Sequence, residues 1–140
     1  VAIDEEDHAH DAEELDRRKG RPHGCMWVFD VTDLNAIKPL SIYEVSELDS
    51  PWSRATPGRF GAHQFQEQRK GTMVFCTWFA GGLRAVDVAN PLSPKEVGFY
   101  IPLPAERRAA PQTNDVFVDD NNLVYTIDRY SGLDILEFNA

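Results

Sequence analysis

Cysteine is scarce in this chain, basic charge is outweighed, and long apolar runs do not occur. Only Cys25 and Cys76 are present. They form no Cys-x-x-Cys pair and no Cys/His spacing of the zinc kind, so a structural metal knuckle is not expected. Two buried free thiols, or one disulfide, remain open. Lys and Arg number 14 against 23 Asp and Glu, for a net charge of −9. That balance argues against a nucleic-acid groove, which needs clustered basic side chains. No stretch approaches the roughly 18 apolar residues of a membrane helix, so no membrane span is expected. Ser53 and Ser131 lack a Gly-x-Ser-x-Gly elbow, no glycine-rich phosphate loop occurs, and Cys76 lies in an apolar run. Nucleophilic catalysis therefore has little support. None of these features fixes a compartment.

What is present is a core and a repeat. In 140 residues, 42% are apolar and 11% aromatic, enough for a folded interior. A segment recurs 50 positions on: Met73-Val74-Phe75 leading to Gly82-Leu83-Arg84-Ala85-Val86-Asp87-Val88 matches Leu123-Val124-Tyr125 leading to Gly132-Leu133-Asp134-Ile135-Leu136-Glu137-Phe138. Met26-Trp27-Val28-Phe29-Asp30-Val31 is a third, partial copy. Such a period belongs to architectures whose units bury their apolar faces only against one another.

Runs rich in Val, Ile, Phe, Tyr and Thr between Gly, Pro, Asn and Asp predict an all-β fold. Strands are expected at 1–3, 25–31, 40–46, 62–67, 72–78, 83–88, 95–101, 114–119, 123–128 and 133–138. Lys70-Gly71 and Asp119 to Asn122 suit tight turns, Asn90-Pro91 and Asp33 to Pro39 suit the next step, and Gly81-Gly82 and Ser131-Gly132 sit at matching bends. Four antiparallel strands per unit describe a β-propeller blade. The chain then holds about two and a half blades: an incomplete one over 1–46 with an acidic insertion at 4–24, a complete one over 62–101, and a terminal one over 114–140 lacking its fourth strand. A closed ring usually has about 4–8 blades, so a second polypeptide or an upstream segment is expected to finish it. The opening Val-Ala-Ile likewise reads as a strand already under way.

Trp27 to Val31, Arg84 to Val88 and the run Asn90-Pro91-Leu92-Ser93-Pro94-Lys95-Glu96-Val97-Gly98 resemble the LVIVD-repeat proteins, a family of β-propellers mostly without assigned activity. Arg59 to His63, Phe79 to Gly82, Asn114 to Val116 and Asp128-Arg129 resemble the C-terminal part of longer members. In the last copy Glu137 replaces the repeated Asp, as a terminal blade would allow.

The site candidates lie where strand ends of several units are expected to converge near the axis. His63 is the sharpest: it can ligate a divalent metal or act as an acid or base, and it can equally bond a neighbouring loop. Asp128 and Arg129 read as an acid beside an anion clamp or as an ion pair between blades. Asn114 and Asp115 can bind a small ligand on the axis or satisfy loop amides, and Trp78 closes the equivalent strand end. Glu5, with His63 and Asp128, completes a metal set. Asp30 and Asp87, matched by Glu137 in the last copy, hold equivalent positions in every copy and so read as turn caps. Eight acidic residues between Asp4 and Asp16, followed by Arg17-Arg18-Lys19, suggest a loop with a short helix acting as a solvated lid. Two functions follow: a binding or assembly module that completes a larger propeller, or part of a metal-dependent enzyme with His63 on the axis.

Overall fold

In the computed structural model, residues 1–3, 13, 16–17, 21–52, 59–68 and 71–139 are described. The acidic stretch expected as a lid, including Glu5, falls almost wholly outside them. Among the described residues nine strands form three antiparallel sheets of three. The first sheet holds β1 (Ala2–Ile3), β2 (Met26–Asp30) and β3 (Lys38–Tyr43). The second holds β4 (Met73–Trp78), β5 (Gly82–Asp87) and β6 (Lys95–Tyr100). The third holds β7 (Thr113–Val118), β8 (Leu123–Asp128) and β9 (Gly132–Glu137). Among the described residues no helix is long and apolar enough to cross a membrane.

Four strands per unit were expected, and the sheets have three. The segment expected as a strand over 62–67 reaches β4 through three backbone hydrogen bonds and one isolated bridge, Phe65 to Cys76. Its polar groups are shared out rather than spent on one ladder. His63 N donates to Thr77 O and Gln66 N to Phe75 O, each at 2.9 Å, while Ala62 N donates to Gly24 O at 2.9 Å, beside the first sheet. The Gln66 side chain is also used, accepting from Val118 N of β7 at 3.0 Å. One segment thereby touches all three units.

The second sheet is packed on both faces. Period-two alternation turns Val74, Cys76, Trp78 and Val86 toward the first sheet, where they meet Met26 and Val45; it turns Phe75, Leu83 and Ala85 toward the third, where they meet Val116, Val118 and Val124. This explains why β4 is buried along nearly its whole length while β6 and β9 alternate. The repeat is obeyed residue by residue. Met26 and Leu83 hold one equivalent position and Val28 and Ala85 the next, and all four are buried. Val86 and Leu136 are equivalent as well, and each packs into the core across its junction.

Turns repeat with the same fidelity. The Asp30 carboxylate accepts from Thr32 N and the Asp87 carboxylate from Ala89 N, each at 2.9 Å; three residues on, Asp33 accepts from Asn35 N and Asn90 from Leu92 N. Both aspartates hold their own backbone two residues on, the capping role their recurrence suggests. Gly82 makes the bend before β5 at φ +79°, and a Cβ there would lie 2.3 Å from Tyr100 O, so only glycine fits.

The Asp87 carboxyl is held below the usual carboxylate range, first by the Thr72 hydroxyl and then by the Ala89 amide; burial opposes them by less, and the nearby Lys95 adds the smallest effect. A carboxyl whose pKa is lower in the folded chain stabilises the fold above about pH 4, and that contribution is lost as pH falls through the folded value. We expect the thermal midpoint to drop on acidification below about pH 4, and Asp87→Ala to flatten that drop. An unchanged acid profile in the variant would contradict the assignment.

Candidate functional site

Several of the strand ends singled out from sequence meet around Phe79, directly after β4. Phe79 is fully buried and has a left-handed backbone, φ +30°, a costly conformation for a residue with a large side chain. Its carbonyl accepts from Gly82 N at 3.0 Å and from Thr113 N of β7 at 3.2 Å, which pins the bend to the third sheet. Three nitrogen-bearing side chains gather on its ring. The Arg59 and Arg129 guanidinium carbons stand 5.0 and 5.3 Å from the ring centre, within cation–π range, and the His63 ring centre lies 4.6 Å away.

Asn114 ties this group together. It is the extra residue of a bulge in β7, where pairing passes from Thr113 directly to Asp115. Bulges re-aim side chains, and here the carbonyl and the amide turn toward the junction. Asn114 O accepts from the Thr77 hydroxyl at 2.9 Å and lies 2.5 Å from His63 Nδ1, while its Oδ1 accepts from Arg129 Nε at 2.5 Å. His63, Asn114 and Arg129, three of the residues singled out from sequence, thus form one connected group. A backbone acceptor at Nδ1 favours a proton on that nitrogen.

The others stand apart from it. Asp128 is 3% exposed and spends both carboxylate oxygens on backbone: Oδ2 accepts from Gln112 N at 2.5 Å, and Oδ1 from Tyr130 N at 2.8 Å and Ser131 N at 3.1 Å. It closes the turn after β8. Asp115 is exposed and accepts from Val116 N at 2.8 Å. Trp78 is buried at the junction of the first and second sheets, edge-on to Tyr43 at 5.4 Å, with its Nε1 unpartnered among the described residues. Glu5 lies outside the described residues. Among those described, no group of three or more His, Cys, Asp or Glu side chains is placed to hold a metal ion.

Two features escaped the sequence reading. Gln112 clamps the backbone of Arg59, accepting from its N–H and donating to its carbonyl, each at 3.0 Å; nothing in the sequence marks it. Arg84 is buried on the other face of the second sheet, donating from Nε to Gly81 O at 2.9 Å and from Nη1 to Glu96 at 3.2 Å, with its guanidinium 5.1 Å from the Phe99 ring centre. The Tyr43 hydroxyl donates to the same carboxylate, and burial, then this bond, pushes the phenol far above its usual pKa. A signal existed: Arg84 is the one basic residue of a largely apolar strand, where the equivalent position of the first copy is Trp27. A buried cation requires a partner.

Chemically, the Phe79 junction presents two guanidinium groups and an imidazole around an aromatic ring, a set suited to anions rather than to cations. Comparison with protein-family models and with curated proteins found no match.

Proposed function

We infer that this chain is a section of a larger β-propeller of the kind resembled by the LVIVD-repeat proteins, and that it works as a binding and assembly module. The observation that carries this reading is the state of the two outermost faces. Leu133 and Ile135 occupy the positions of Leu83 and Ala85, which are buried against the next sheet, yet they are 56% and 58% exposed. Beside them Phe117 and Ile127 are exposed on the same face. On the first sheet Phe29 stands where Val86 and Leu136 stand, and with Trp27 and Ile42 it forms the outward face, the two rings stacked 5.9 Å apart. Contiguous apolar faces of this kind mark contact surfaces. Repetition says what they contact: another sheet of the same type.

A second reading is part of a metal-dependent enzyme with His63 as ligand or base; the grouping of His63 with Asn114 and Arg129 fits the base role better, because the guanidinium groups beside it repel a metal ion. Native mass spectrometry tests both. Assembled species with no bound metal support the module, whereas stoichiometric metal that disappears in His63→Ala supports the enzyme. A compact 15.8 kDa monomer that binds no hydrophobic dye at its outer faces would overturn the assembly reading.

A further inference from the structure

We propose that the Phe79 junction is a binding site for an oxyanion, the phosphate or carboxylate end of a small molecule, gripped chiefly by the Arg129 guanidinium. The site does not depend on the assembly reading, which concerns the outer sheet faces.

One buried residue sets the spacing of the two arginines. The Gln112 side chain holds the backbone of Arg59 at both its N–H and its carbonyl, and the Gln112 carbonyl accepts from Arg129 N at 3.1 Å. Phe79 supplies the apolar floor between them. With their guanidinium carbons 5.0 and 5.3 Å from its ring centre, the two cations stand no farther apart than about one Debye length at 0.1 M salt. Like charges this close repel, and an anion beside them removes that cost.

Arg129 is exposed, and its Nε donates to Asn114 Oδ1, which fixes the plane of the guanidinium. Its terminal nitrogens make no hydrogen bond or ion pair with the other described residues. The adjacent Asp128 carboxylate is turned away to three backbone amides. A guanidinium held at Nε with both Nη groups available matches two oxygens of a carboxylate or phosphate. His63 joins from the same Asn114, through the backbone carbonyl at its Nδ1, and is only half-buried. The strained Phe79 backbone fits this arrangement, since such conformations concentrate at ligand clamps. These groups are ordered by protein contacts alone, so little ordering cost opposes binding. Two guanidinium groups beside an imidazole suit a doubly charged ion better than a singly charged one, so phosphate should bind more tightly than acetate.

The test titrates inorganic phosphate, acetate and chloride into the full chain at constant pH and ionic strength, read by calorimetry and by the thermal midpoint. Phosphate is expected to saturate a single site per chain and to raise the midpoint, as a ligand of the folded state does; chloride should do neither. Arg129→Gln should weaken phosphate at least about tenfold, the loss expected for hydrogen bonds to a charged group. Arg129→Lys keeps the charge without the planar fork and should fall between. Arg107→Gln, at an exposed arginine outside the junction, should leave binding unchanged. Circular dichroism confirms folding. If Arg129→Gln does not fold, Asn114→Ala, which releases the guanidinium without removing it, should weaken phosphate in its place.

Tighter binding of acetate than of phosphate, with the same dependence on Arg129, keeps the site and assigns it to carboxylates. Phosphate affinity unchanged in both Arg129 variants places the ion elsewhere and overturns the proposal. So does a response that never saturates, or one that chloride reproduces. None of these outcomes bears on the oligomeric state, which native mass spectrometry reads separately, so this site and the assembly reading fail independently.

Discussion

Replacing Asp128 with Ala is expected to cost about 4 kcal/mol of folding stability, read as a fall in the urea midpoint with little change in slope. The carboxylate holds three backbone amides at once, those of Gln112, Tyr130 and Ser131. Hydrogen bonds to charged groups contribute roughly 1.5–3 kcal/mol each, and a buried donor left without an acceptor costs a further ~1–3 kcal/mol. The full sum is not reached because Tyr130 and Ser131 are exposed, so water can take over their amides. The Gln112 amide has no such replacement. Asp128→Asn keeps one acceptor oxygen and should lose about half as much. If Asp128→Ala unfolds at the wild-type midpoint, the carboxylate is not the lock between β7 and the turn after β8.

Trp78→Ala should be comparably damaging, by about 3–5 kcal/mol, the usual result of removing a fully buried aromatic side chain. Trp78 is wholly inaccessible and belongs to the core between the first and second sheets, with Met26, Cys76 and Val86. It also stands edge-on to Tyr43, whose hydroxyl is bound to Glu96. The cavity would open beside the Arg84–Glu96 pair, so the loss combines apolar transfer with looser support for a buried charge. Trp78→Phe refills most of the volume and, because the indole N–H has no partner among the described residues, removes an unsatisfied donor. It should recover more than half of the loss in thermal or urea melts. If both variants lose equally, packing at this junction does not dominate.

The two effects fall on different parts of the fold, one within the third sheet and one between the first and second sheets. They should therefore add when combined, since separated sites with no shared partners behave independently. Strong coupling between them would instead mean that the second sheet transmits strain from one face to the other.

The strands were legible where two signals coincided. β8 is bounded by Asp119 to Asn122 on one side and Arg129 to Gly132 on the other, with Leu, Val, Tyr and Ile between, and its observed limits agree with the expected 123–128. β3 was placed too late because Pro39 suggested a turn. The strand nevertheless includes it, since β3 is the outermost strand of its sheet and an edge position tolerates a missing N–H. The segment at 62–67 has strand-like composition, yet its backbone serves three neighbours. Local propensity cannot express that division.

The site was partly legible for the same reason. His63, Asn114 and Arg129 were recognisable as polar residues at strand ends, and repeat arithmetic placed those ends near one another. Asp128 looked like part of the same chemistry and instead secures a turn. Exposure and partner choice decide between those roles: two of the amides Asp128 holds are two and three positions on, but the third, Gln112 N, comes from 16 positions back, and the bond that draws Arg129 to Asn114 spans 15.

By itself the sequence determined the all-β character, the 50-residue repeat, the turn-capping aspartates and the positions of most strands, because period-two burial and turn chemistry act over a few residues. Tertiary structure alone decided that each sheet has three strands, that Phe79 collects His63, Arg59 and Arg129, and which apolar faces are left outward. Those outcomes depend on how separate sheets share backbone partners and cover one another, an interaction between distant segments that no local pattern encodes.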